Sequence, residues 1–289
     1  MRDLPYFPFD EQGYRPSVGL AALAPERWIE PDEHAAEQLP LRAELLANCR
    51  NDILQYREEA GNACLELNRT VRHNLLEHHR GYASGMPRQI RITPTDITLD
   101  APTIGLNALE QLAHLVQEDI CILSAEEEPR LIAALVCFPS HWQVKEKMGL
   151  TSDGIHAVVP KFAEKLATPT NAILQKLSAK RPMWRINWSI DGNNELHTPG
   201  LKTFRQDLTV DNVLDSTWLR IERQTLRRLP ESGSMVFTIK TYLHRMTDVA
   251  SCPTRRTKLL ASLKTIPPDT ADYKGLSDVL PLLVQAIGK

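Results

Sequence analysis

Paired cysteines are missing from this chain. Cys49, Cys64, Cys121, Cys137 and Cys252 fall at irregular spacings with no Cys-x-x-Cys, which excludes the usual zinc ribbon and covalent haem attachment of the c type. The local cysteine run of an iron–sulfur cluster is absent as well. An odd number of scattered thiols suits a reducing compartment, and Cys121 and Cys137, set in apolar runs, read as core residues. Glycine is short where nucleotides need it: there is no Gly-x-Gly-x-x-Gly and no Gly-x4-Gly-Lys-Ser/Thr, so those phosphate cradles are ruled out. Neither Gly-x-Ser-x-Gly nor His-Glu-x-x-His occurs. Long apolar runs are lacking too. Residues 131–138 form one of the longest, well below a membrane span, and the first ten residues hold no apolar stretch of a secretory signal. A cytoplasmic location and no membrane partner are therefore expected. Charge of one sign is also missing. Lys+Arg 34 against Asp+Glu 36 leaves no basic field for nucleic acid.

What is present is a change of pattern along the chain. The first forty residues carry Pro5, Phe7, Pro8, Phe9, Tyr14, Pro16, Pro25, Trp28, Pro31 and Pro40. Prolines disfavour regular structure and aromatics favour burial, so this segment reads as an extended arm laid over the domain. From 41 to 80, residues such as Leu45, Leu46, Cys49, Leu67, Val71 and Leu75 recur at helical spacing, and 106–117 continues it. Residues 81–102 carry loop signals with a short apolar alternation. The apolar runs 119–124 and 131–138, joined by Glu126-Glu127-Glu128-Pro129, predict an antiparallel hairpin. Ser140 and Gln143 have capping-box spacing, which predicts a helix there. Helical spacing resumes through Phe162, Leu166, Ile173 and Leu177. Alternation then predicts strands over 184–190, 217–229 and 235–244, and the tail from Lys258 is amphipathic helix.

This order predicts an α+β fold: a PAS-like antiparallel five-stranded sheet with a helical insert, plus N-terminal helices and a helical C-terminal tail. The expected division is 1–117 for the arm and helical region, 118–245 for the core and 246–289 for the tail, all one compact unit.

Several residues could carry chemistry. His156 lies in the apolar stretch Gly154-Ile155-His156-Ala157-Val158-Val159-Pro160, where an imidazole is either a satisfied core residue or an iron ligand. His141 is its rival. His78-His79 beside Glu77 reads as a solvated patch, because adjacent helical residues diverge. The strand at 184–190 puts Arg185, Asn187 and Ser189 on one face. The next strand holds Arg220, Arg223, Arg227 and Arg228 with a single acid, Glu222. Arginine's planar fork suits carboxylates, although an arginine-laced edge paired with Glu222 fits the same residues.

Val136-Cys137-Phe138-Pro139-Ser140-His141-Trp142, Gly154-Ile155-His156-Ala157-Val158-Val159-Pro160, Arg185-Ile186-Asn187-Trp188-Ser189, the run from Arg220 through Arg223-Gln224-Thr225-Leu226-Arg227-Arg228 to Pro230, and Phe237-Thr238-Ile239-Lys240-Thr241-Tyr242 together resemble the haem-dependent oxidative N-demethylase family over roughly residues 118–245. The resemblance implies a PAS-like domain turned enzyme, which binds haem b and demethylates a small secondary amine such as dimethylamine with O2, releasing formaldehyde. It implies electrons from a ferredoxin/flavin reductase component, with FMN and a [2Fe–2S] centre on partner chains. It makes His156 the axial iron ligand, Arg223, Arg227 and Arg220 candidates for the haem propionates or distal pocket, and Glu222 the carboxylate for the substrate ammonium. Tyr242 or Asn187 would supply a distal hydrogen bond. Two departures stand out. Val158 and Lys161 occupy a stretch that in the family more usually reads Pro-Val-Pro-Gly, and Lys240 replaces a usual arginine. The competing expectation is a haem PAS-type sensor without turnover, and a third is a PAS-like binding protein in which His156 is core.

Overall fold

The computed structural model describes residues 4–15, 18–86 and 88–289; Pro16 of the arm lies outside them. The arm runs mostly without regular structure, with Tyr6, Phe9 and Trp28 buried as their aromatic character requires. Its one short strand, β1 (Ala21–Ala22), is followed by helices α1 (Ala35–Asn48) and α2 (Arg50–Ile53), strand β2 (Leu54–Tyr56) and helix α3 (Gly61–His78). Strands β3 (Tyr82–Ser84), β4 (Gln89–Ile92) and β5 (Ile97–Asp100) make a separate three-stranded sheet where loop was expected. Helix α4 (Gly105–Leu115) packs on α3 at a glycine contact, where a Cβ on Gly105 would stand 2.5 Å from the Gly61 Cα.

The predicted hairpin is β6 (Asp119–Leu123) with β7 (Leu131–Leu135). Helices α5 (Ser152–His156) and α6 (Ala167–Lys176) form the insert, joined by a π-helical turn at Phe162–Leu166. Long strands β8 (Met183–Asp191), β9 (Trp218–Arg228) and β10 (Met235–Arg245) follow, and α7 (Met246–Ala250), α8 (Pro253–Thr265), α9 (Pro268–Tyr273) and α10 (Leu280–Gly288) make the tail.

The expected helix at Ser140 does not form. His141 N donates to the Thr198 carbonyl and Thr198 N to that of Pro139, so the segment's backbone groups are taken by a bridge to a distant loop. The main sheet is likewise larger than five strands. Its seven antiparallel strands run β1-β8-β9-β10-β6-β7-β2, because short segments of the N-terminal region add to both edges.

The two faces of this sheet differ. On one, Ile120, Ile122, Leu135 and Val236 pack under α1, α3 and α4. Trp188, Ile190, Leu219 and Ile221 on the same face meet the arm and the tail helices. The opposite face presents Cys121, Leu131, Phe237, Leu123 and Met235 to the insert through Val144, Ile155, Leu174 and Leu177. Cys121 and Cys137 are buried thiols, pushed up to about 12 by burial, as core residues should be.

Candidate functional site

Alternation along the long strands decides which side chains can meet. Asn187 pairs with Glu222 and Arg185 with Gln224 across β8 and β9, so these four share the insert-covered face with Arg220. Arg223 and Arg227 occupy the other face of β9, and Lys240 and Tyr242 of β10 lie on that face too. The structure brings His156, Asn187, Glu222 and Arg220 to one side and sets Arg223, Arg227 and Tyr242 on the other.

His156 closes α5, whose N-cap Thr151 accepts from Gly154 N. Its Nδ1 lies 2.8 Å from the Ser152 carbonyl. A carbonyl only accepts, so Nδ1 carries the proton and the Nε2 lone pair is free to ligate. The ring stacks on Phe162 at 4.8 Å and 14°. Burial, and then the charges of Arg185 and Lys147, hold its pKa below the ordinary histidine value, so the neutral form prevails.

Glu222 is buried, with Asn187 Nδ2 (3.2 Å) and Gln224 Nε2 (3.0 Å) both donating to Oε2. Oε1 has Arg220 Nε at 3.8 Å and receives no hydrogen bond among the described residues. Arg220 is fully buried and donates to the carbonyls of Phe138, Glu195 and Leu196, so its guanidinium organises the loops beneath the site. Arg185 is an electrostatic neighbour of both His156 and Glu222. The tail contributes Tyr273 and Lys274, which both feel the Glu222 charge. Lys274 Nζ donates to the Trp188 carbonyl at 2.7 Å. Neither tail residue carried a local signal, since only the tertiary fold brings the tail to β8. A cavity of about 310 Å³ runs along strand β8 and is lined by Tyr14, Arg15, Arg185, Asn187, Trp188 and Lys274 among others; His156 is not part of its wall.

The remaining candidates are engaged elsewhere. His141 Nδ1 lies 3.1 Å from the Gly200 carbonyl and Nε2 faces the Asp191 carboxylate at 3.5 Å. Arg223 binds the Arg27 and Trp28 carbonyls and Glu30. Arg227 stacks over Trp28 at 4.4 Å. The Tyr242 hydroxyl donates to Glu30, whose Oε2 also accepts from Tyr6. Lys240 keeps an ion pair with Asp32 at 3.0 Å. Lys161 takes φ +57, the left-handed conformation that glycine favours, at some strain, and its ammonium pairs with Asp269 of the tail at 2.8 Å.

A helical insert thus presents one neutral imidazole over a sheet face that carries the carboxylates of Glu222 and Asp191, in an α+β protein. The family model described as haem-dependent oxidative N-demethylase, alpha subunit-like, matches residues 19–284, and the chain belongs to that family. Among the described residues no helix is long and apolar enough to cross a membrane.

Proposed function

We propose that this chain is the haem-binding catalytic component of an oxidative N-demethylase acting on a small secondary amine of the dimethylamine type. The observation that carries this reading is the free Nε2 lone pair of His156, created by the Nδ1 bond to Ser152, on the same sheet face as Glu222. The five central strands run β7-β6-β10-β9-β8 with the helical insert between β7 and β8, which supports a PAS-like core. The residues fit a haem b: a neutral imidazole for the iron, and on the same side a guanidinium, Arg185, whose Nε is buried without a partner.

When bound, the haem supplies the one-electron and dioxygen chemistry. The chain's own groups do the rest. Glu222 Oε1 pairs with the substrate ammonium, while Asn187 and Gln224 hold Oε2 and fix the carboxylate's rotation. Phe162 covers the imidazole and shields it from water. Overall, a secondary amine, O2, two electrons and two protons give the primary amine, formaldehyde and water. The electrons come from a separate flavin and [2Fe–2S] ferredoxin component, as suits an alpha-subunit-like family.

Two variants test this. His156→Ala should remove or shift the Soret band of the haem-loaded protein. Glu222→Gln should keep that band and lower kcat/KM for formaldehyde release from dimethylamine about 10- to 100-fold, the loss of one charged pairing. A normal spectrum in His156→Ala would reject the ligand, and normal turnover in Glu222→Gln would reject the ammonium site. Haem binding with no formaldehyde, donor supplied, would make the chain a sensor.

A further inference from the structure

The region along strand β8 holds more positive charge than its neighbouring carboxylates balance. Among the described residues, Arg185, Lys202, Arg220 and Lys274 gather around only Asp191 and Glu222. Lys202 is matched with Asp191 at 2.9 Å. Arg220 lies 4.0 Å from Asp191 and 3.8 Å from Glu222 and spends its remaining donors on carbonyls. Arg185 and Lys274 are the surplus.

Arg185 makes no hydrogen bond and no ion pair among the described residues, and its Nε is sealed from solvent. A guanidinium offers five donors in a plane, and an Nε–H sealed from water without an acceptor is costly. Lys274 uses one of three donors on the Trp188 carbonyl and stands 4.5 Å over the Trp188 ring. The crowding shows in its ammonium, pushed down to about 8 by burial first and then by Lys202 and Arg185, against the pull of Glu222. Both side chains line the cavity along β8, whose described wall contains no carboxylate.

We propose that Arg185 and Lys274 form a carboxylate-binding pair, and that the group they take is the propionate edge of the haem. The inference rests on the haem reading above. It moves the propionate contact away from Arg223 and Arg227, which face the opposite side of the sheet. A carboxylate borne by the substrate amine is the other source of the same chemistry.

The test titrates the full-length apoprotein with haem and with haem dimethyl ester, following the Soret band, in wild type, Arg185→Met, Lys274→Met and Arg185→Lys. The ester should bind at least about tenfold more weakly than haem to wild type, the worth of one charge-assisted contact. That gap should close in both methionine variants and partly reopen in Arg185→Lys. Circular dichroism confirms that each variant is folded, and Lys274→Met carries the comparison if Arg185→Met is not. Equal binding of haem and ester turns the question to the substrate: N,N-dimethylglycine is compared with dimethylamine by ligand-observed NMR. Tighter binding of the amino acid, lost in Arg185→Met, keeps the pair and assigns it to the substrate carboxylate. No preference in either comparison overturns the pair and leaves the His156 reading intact. A wild-type protein that takes up no haem overturns that reading instead, and dimethylglycine alone then decides the pair.

Discussion

Asp191 sits where basic side chains from three segments meet: Lys202 at 2.9 Å, His141 at 3.5 Å and Arg220 at 4.0 Å. Burial pushes its carboxyl up, but His141, Lys202 and Arg220 together hold it well below the usual carboxylate range. The unfolded chain takes up this proton at an ordinary carboxylate pKa and the folded chain resists it. Asp191 therefore contributes stability that is complete above about pH 4, the unfolded value, and is lost as pH falls through the folded one. Asp191→Asn leaves Lys202 without its counter-charge and Arg220 with Glu222 alone, so a loss of about 3 kcal/mol is expected at pH 7, or a Tm roughly 6–12 °C lower. The variant should also lose less stability than wild type on acidification. Parallel Tm-against-pH curves for the two proteins would show that Asp191 is not the titrating group. His156 was legible in the sequence because apolar neighbours on both sides are unusual for an imidazole. Its protonation state was not, since the deciding Ser152 carbonyl is set by the backbone of α5.

At the scale of single elements, β9 carries four arginines, and its period of two distributes them to different tasks. Arg220 and Arg228 lie on the insert side, Arg223 and Arg227 on the side of the arm. The run reads as one basic strand in sequence, whereas the pleat makes it two half-strands with separate partners. Arg223 with Glu30, and Lys240 with Asp32, tie residues 27–32 of the arm to the sheet. Arg223→Met is expected to cost about 2–3 kcal/mol, because Glu30 and the carbonyls of Arg27 and Trp28 lose their shared donor. Its haem affinity should match wild type. A weakened Soret titration with unchanged Tm would instead put Arg223 at the cofactor. The long strands β8, β9 and β10 were readable because alternation over nine or eleven residues has one explanation. The edge strands β1 and β2 and the sheet of β3, β4 and β5 were not. Segments of two to four residues have too little periodicity, and pairing with distant partners creates them.

Across the whole molecule, the sheet is the meeting surface of all three segments of the chain. β1 and β2 from the N-terminal region occupy its two edges. The arm-side face is covered by α1, α3 and α4 at one end and by the tail helices at the other. Excision of 118–245 would strip Ile120, Ile122, Leu135 and Val236 of the first cover and Ile190, Leu219 and Ile221 of the second. Each such side chain contributes about 1.5–3 kcal/mol by burial, so the cover over seven of them is worth about 10–20 kcal/mol, as much as the roughly 5–15 kcal/mol that holds a domain folded. Arg223 and Lys240 would also lose Glu30 and Asp32. We therefore expect the 118–245 fragment to be unfolded or aggregated, and the full chain to melt in one transition, with calorimetric and van't Hoff enthalpies equal. A dispersed amide NMR spectrum from the fragment would show that the core stands alone. It would also free the arm and tail for roles other than cover. The candidate site argues for the single unit, since Lys274 comes from the tail, Arg185 and Glu222 from the sheet and His156 from the insert, and the Lys161–Asp269 pair bridges insert and tail. The same chain segments that complete the fold complete the site, so haem binding should be lost in the same transition that melts the sheet.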